Sequence, residues 1–121
     1  MNQPTEVVVD PPFVVVQEPA FTARFVLASS EVESVENVDA FVDLPDGSSW
    51  SLTIFTIDEI GRLLRTWQES GEHANGSYFW AADQLIVAQP GIAAMVTAIR
   101  ELVRTNDITR VGARSNNQPH H

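Results

Sequence analysis

The spacing of apolar positions divides the 121-residue chain into a strand-rich first half and a second half in which helices appear. Phe21, Ala23, Phe25 and Leu27 alternate with Thr22, Arg24 and Val26, the period of two that puts one set of side chains on a single face of a strand. Phe13 to Gln17 is rich in valine and reads as a strand of its own, with Pro19 marking the turn between the two. Val38, Ala40, Val42 and Leu44 then alternate with Asp39, Phe41 and Asp43. After Pro45-Asp46-Gly47, which has the chemistry of a turn, Trp50, Leu52 and Ile54 alternate with Ser51 and Thr53, and the two runs together predict a β-hairpin. Ahead of all of these, Val7-Val8-Val9 is followed by Asp10 and two prolines that cannot donate to a ladder, so residues 1–12 read as a flexible arm.

The period changes at Phe55. Thr56 and Glu59 have the spacing of a capping box, and Phe55 and Ile60 that of a hydrophobic staple. Ile57, Ile60, Leu63, Leu64 and Trp67 recur at three- and four-residue intervals up to Gly71, a left-handed terminator, which predicts an amphipathic helix over 57–70 with Trp67 in the core. A polar loop follows. Tyr78-Phe79-Trp80 and Leu85-Ile86-Val87, on either side of a short connection, predict a second hairpin. Pro90 suits the first turn of a second helix, whose stripe is Ile92, Met95, Val96, Ile99, Leu102 and Val103 and which ends near Thr105 with Asn106 as terminator. Asp107 to Val111 reads as a short edge strand and residues 112–121 as a disordered tail. The expected fold is α+β: one domain over 13–111, an antiparallel sheet with two amphipathic helices packed on one face.

Charge sharpens this picture. The formal net charge is −9, from 16 acids and 7 bases, and every base is arginine. Residues 1–60 hold eleven of the acids and only Arg24, whereas the remainder is nearly neutral, so the folded domain should carry one strongly negative face. Such a chain repels phosphate backbones and anionic lipid, which argues against nucleic acid and membrane as partners. No apolar run exceeds five residues, and neither a transmembrane span nor a secretory signal is expected.

Candidate chemistry is thin. Without cysteine there is no disulfide, thiolate site or cysteine nucleophile. Two of the three histidines, His120 and His121, close the tail. His73 beside Glu69 and Glu72 offers too few ligands for a metal and reads as part of a solvated helix end. Asp58 and Glu59 are accounted for by the helix dipole, and Asp83 by a turn. Ser48, Ser49 and Ser51 lack a nucleophile elbow, and a chain without lysine has no Walker motif. No enzyme activity, metal or cofactor is expected. What remains is aromatic. Tyr78 and Trp80 share one face of their segment and Phe79 the other, so some aromatic surface should be exposed, a common feature of protein-binding patches.

Asp46-Gly47 with Trp50, Phe55-Thr56, Trp67, Gly71-Glu72, and Gly76 with Tyr78-Phe79-Trp80, Asp83 and Ile86-Val87 together resemble a group of small bacterial proteins similar to the immunity proteins of polymorphic toxin systems. The resemblance spans about residues 40–105. It implies a cytoplasmic binding protein that inhibits a secreted toxin, and brings no catalytic residues with it. An acidic inhibitor suits a basic toxin. The expected partner-binding residues are Glu31, Glu33, Glu36, Asp39 and Asp43 on the acidic face and Tyr78, Trp80 and Asp83 in the second hairpin. The alternative is a small-ligand or sensor domain holding its ligand between sheet and helices near Trp50, Trp80 and Asp83.

Overall fold

The alternating segments form a seven-stranded sheet in the computed structural model, which describes residues 6–115. Its strands are β1 (Glu6–Asp10), β2 (Phe13–Glu18), β3 (Phe21–Val26), β4 (Asn37–Asp43), β5 (Ser49–Thr56), β6 (Gln84–Val87) and β7 (Ala113–Arg114). The helices are α1 (Ile57–Ser70), α2 (Glu72–Gly76), α3 (Ile92–Thr105) and α4 (Ile108–Val111). β1 to β5 form an antiparallel meander, as short connections between successive strands require. β4 occupies one edge of β5 along its length, so the other edge is shared: Thr53–Thr56 pair in parallel with β6, and Trp50 and Ser51 pair antiparallel with β7.

The class is α+β, but the sheet is mixed rather than purely antiparallel. The parallel pair follows from α1, because a strand that returns beside its predecessor after a helix runs in the same direction. The second hairpin therefore does not form: Tyr78–Trp80 is not a strand, and Leu85, Ile86 and Val87 lie against Ile54, Phe55 and Thr56. The arm expected over 1–12 also differs, since Glu6–Asp10 finds a partner in β2, with the two prolines confined to the turn between them. Of the residues read as a disordered tail, Ala113 and Arg114 pair with β5; residues 116–121 lie outside the described part.

One sheet face carries the core. Val14 and Val16, Phe21, Ala23 and Phe25, Val38, Ala40 and Val42, and Leu52 and Ile54 alternate inward from four strands and are all buried. α3 closes over them with Ile92, Met95, Val96 and Ile99, each side chain worth roughly 1.5–3 kcal/mol of apolar burial. Asp107–Val111 is not an edge strand. Asn106 adopts a left-handed backbone (φ 65°) that ends α3, and the one-turn helix α4 then drives Ile108, fully buried, into the same core. Of the two long helices expected on one face, α3 lines this core and α1 contributes no residue to it.

The acidic stretch after β3 has a structural task. α3 begins without a side-chain cap, and its first free N–H groups are taken by main chain: Gly91 N–H donates to the Val35 carbonyl and Ile92 N–H to that of Val32, each at 2.8 Å. Gly91 (φ 96°) is required there, because a Cβ would stand 2.9 Å from the Glu33 carbonyl oxygen.

The start of α1 is half of the expected capping box. Thr56 Oγ1 accepts from Glu59 N–H at 3.0 Å, but the Glu59 carboxylate turns to Arg62 instead of reaching back. The Thr56 N–H donates to the Glu36 carbonyl, and its hydroxyl donates to Glu36 Oε1 at 2.8 Å. Thr56→Ala removes a buried N-cap bond and a part-buried hydrogen bond to Glu36 together. The expected loss is about 1–2 kcal/mol, read as a lower urea midpoint at unchanged slope.

Candidate functional site

The other sheet face, opposite the core, bears the outward-alternating residues. Phe13, Val15, Arg24, Phe41 and Asp43 are half-buried there, and Val26 and Asp39 are exposed. Arg24 makes a bidentate pair with Asp43, Nε to Oδ2 at 2.8 Å and Nη2 to Oδ1 at 3.0 Å, while its guanidinium lies 4.9 Å from the Phe41 ring centre and 5.4 Å from that of Phe13. Ser49 Oγ donates to the same carboxylate at 2.8 Å. Asp43, expected as a free acid for a partner, is thus occupied by the lone arginine of the first half. Burial pushes its pKa up, but the Arg24 and Ser49 hydrogen bonds outweigh that and hold it below the ordinary carboxylate value.

Toward β5 this face becomes aromatic. Phe55 is buried on it and meets Phe79 edge-on, with ring centres 4.8 Å apart; Phe79 stacks on Trp67 at 5.7 Å, and His73 lies 3.9 Å from Trp67. α1 therefore turns its apolar stripe toward this aromatic chain, and Trp67 is half-buried rather than in the main core. His73 belongs to the same stack and touches Tyr78 edge-on at 5.4 Å. Among the described residues no group of three or more His, Asp or Glu side chains is placed to hold a metal ion.

This arrangement comes at a conformational cost in α2. His73, Ala74 and Asn75 all have left-handed backbones, with φ of 52°, 51° and 62°, between Gly71 and Gly76, which are left-handed too. For residues with a Cβ this costs roughly 1–2 kcal/mol each. The segment is held against α1 by close approach: a Cβ on Gly76 would overlap the Leu64 carbonyl oxygen.

From this stack the chain emerges along an exposed path. Trp80 is 74% exposed and Tyr78 52%. The path is fastened to one face of β5 at both ends: Phe79 lies on Phe55, and Asp83 accepts from Ser51 Oγ at 3.0 Å and Thr53 Oγ1 at 3.4 Å while its carbonyl accepts from Thr53 N–H at 2.9 Å. Thr53 is the cross-strand partner of Asp39. Asp39, Asp83, Tyr78 and Trp80 are therefore carried on or beside one sheet face.

Glu31, Glu33 and Glu36 stand apart, in the segment that caps α3. Glu31, Glu36 and Glu59 line a shallow polar depression of about 290 Å³ with Ser34 and Asn37. Arg62 holds the Glu59 carboxylate below its ordinary pKa, against the upward push of burial.

The pattern along the sequence indicated the acids and the exposed aromatics; it missed Phe13, Phe41 and Arg24 as one cluster. The signal was present, since Phe41 interrupts the outward-facing acids of its strand, but the partners come from three strands.

Two consequences can be measured. Because Asp43 and Glu59 titrate below their unfolded values, the stability they contribute is present above the ordinary carboxylate range and is lost as pH falls through the folded pKa values. Urea midpoints should fall with acidification below about pH 4–5, and Asp43→Asn should start lower and lose less. Ala74→Gly, which in an ordinary helix weakens a protein, should here stabilise it by about 1 kcal/mol, again read from the urea midpoint.

Comparison with protein-family models, with curated proteins and with solved structures finds no match.

Proposed function

We propose that this chain is a non-enzymatic protein-binding module: an acidic inhibitor of the immunity type that engages a basic bacterial toxin in the cytoplasm. The observation that carries the reading is Trp80, a large aromatic side chain left in solvent on a segment that Phe79 and Asp83 fasten to β5. A solvated tryptophan on an anchored segment offers a partner apolar area at little cost in chain entropy, the property of interface anchors. The acids of the first sixty residues supply attraction over distance, and Glu31, Glu33 and Glu36 extend it to the rim above α3.

The small-ligand alternative has less to support it. Trp50 alternates toward the core side of β5, whereas Asp83 is bonded to Ser51 and Thr53 on the opposite side. Trp50 and the Asp83 carboxylate are thus separated by the sheet.

The test is kinetic. A protein recovered by pull-down from the native host is purified and its binding followed at low and high salt. Glu31→Gln, Glu33→Gln and Glu36→Gln combined should slow association and flatten its salt dependence, with little change in stability because glutamine at position 36 still accepts from Thr56. Trp80→Ala should speed dissociation by about tenfold or more. An association rate indifferent to salt, with dissociation untouched by Trp80→Ala, overturns the reading.

A further inference from the structure

Among the described residues the outer edge of β1 is one of the two open ends of the sheet, and the longer of them. Among the described residues β1 pairs with β2 alone, and all five of its residues are exposed, including Val7, Val8 and Val9 at 51%, 44% and 53%. Alternate N–H and C=O groups of such a strand point outward without a sheet partner, a template for another strand. Beside it, on the core side of the sheet, Val7, Val16, Val32, Ile92 and Val96 line an apolar groove of about 280 Å³ between β1 and α3. The one charged group lining it, Arg100, is already paired with Glu18 at 2.9 Å.

The ends of β1 decide what can dock. If a second copy paired antiparallel with Val8 opposite Val8, the only register that uses the whole strand, Glu6 would face Asp10 of the other copy twice. Like charges directly opposite are destabilising, and the net charge of −9 adds to the repulsion. Nor do the neighbours on β2 compensate, because Glu6 lies opposite Gln17 and Asp10 opposite Phe13. The same two acids favour an incoming strand with cations at those positions.

We propose that the free edge of β1 is a strand-addition site for an extended segment of a basic protein partner, with Lys or Arg opposite Glu6 and Asp10 and apolar residues opposite Val7 and Val9. The alternation of a strand places the residues opposite Val7 and Val9 on the groove side, and the two cations on the other face with Glu6, Val8 and Asp10. The pattern reads the same in both directions, so a parallel or an antiparallel strand satisfies it. This inference rests on the reading of the chain as a protein binder, but it uses a different surface from Trp80.

The probe is a capped peptide, Gly-Arg-Val-Thr-Val-Arg-Gly, against a control with glutamate in place of both arginines. Amide shifts and slowed hydrogen exchange on adding the basic peptide should be confined to β1 and the groove-lining residues, with no response to the control. Combining Glu6→Lys with Asp10→Lys, both at exposed positions, should weaken the basic peptide by about tenfold or more and bring the acidic one into binding, at unchanged circular dichroism. Absence of binding, binding indifferent to the double substitution, perturbations centred on Trp80 or Asp39, or a wild-type chain that sediments as a dimer with protected β1 amides each overturn the proposal. If the peptide fails while a host partner still responds to salt and to Trp80→Ala, the edge proposal falls alone. If the peptide binds at β1 and that partner responds to neither, the reading of the aromatic surface falls instead.

Discussion

Eight residues, Ser49–Thr56, form the strand that ties the two halves of this molecule together. β4 takes one edge of β5, and β6 and β7 divide the other. Leu52 and Ile54 enter the core, while Ser51, Thr53 and Phe55 on the opposite side hold Asp83 and Phe79. At its end Thr56 caps α1 and fastens Glu36. A strand with partners on both edges and both faces has no freedom to slip, because a shift of one residue would exchange Leu52 and Ile54 for Ser51, Thr53 and Phe55.

That double use explains how the helices are divided. α3 is held by apolar burial and by main-chain capping from the Val32–Val35 segment, so it behaves as core. α1 is held at its start by Thr56 and along its length by Phe79 and the left-handed turn of α2. Ile60, Leu63, Leu64 and Trp67 are only half-buried, and Ile57 is exposed. The α1 side of the molecule should therefore open locally before the core does, as elements with few buried apolar contacts do. Tyr78 and Trp80 flank Phe79, through which their segment is fastened to β5 rather than to the main core.

Electrostatics follow the same division. The acids of the first half are not one undifferentiated face. Asp43 is neutralised by Arg24 between two phenylalanine rings, and Glu36 is bonded into the α1 start, whereas Glu31, Glu33 and Asp39 remain exposed. Glu6 and Asp10 bracket an edge strand. Acid thus stabilises the fold in some places and sets the surface field in others, a distinction that net charge alone does not make.

Local chemistry made much of this legible from the chain alone. The alternation at Phe21–Leu27, Val38–Leu44 and Trp50–Ile54 is a period that only a half-buried strand satisfies, and the Thr56 cap, the stripe of α1 and the Gly71 terminator are signals within a single turn. Pairing was not legible. Val7–Val9 is a strand because β2 presents a free edge to it; Leu85–Val87 runs parallel because α1 brings it back beside β5; Ile108 reaches the core from a one-turn helix that follows the left-handed Asn106. Asp43 looked free because its arginine lies nineteen residues away. Periodicity and capping are decided by neighbours in sequence, and the sequence by itself determined them. Edges, faces and ion pairs are decided by neighbours in space, which only the tertiary structure supplies.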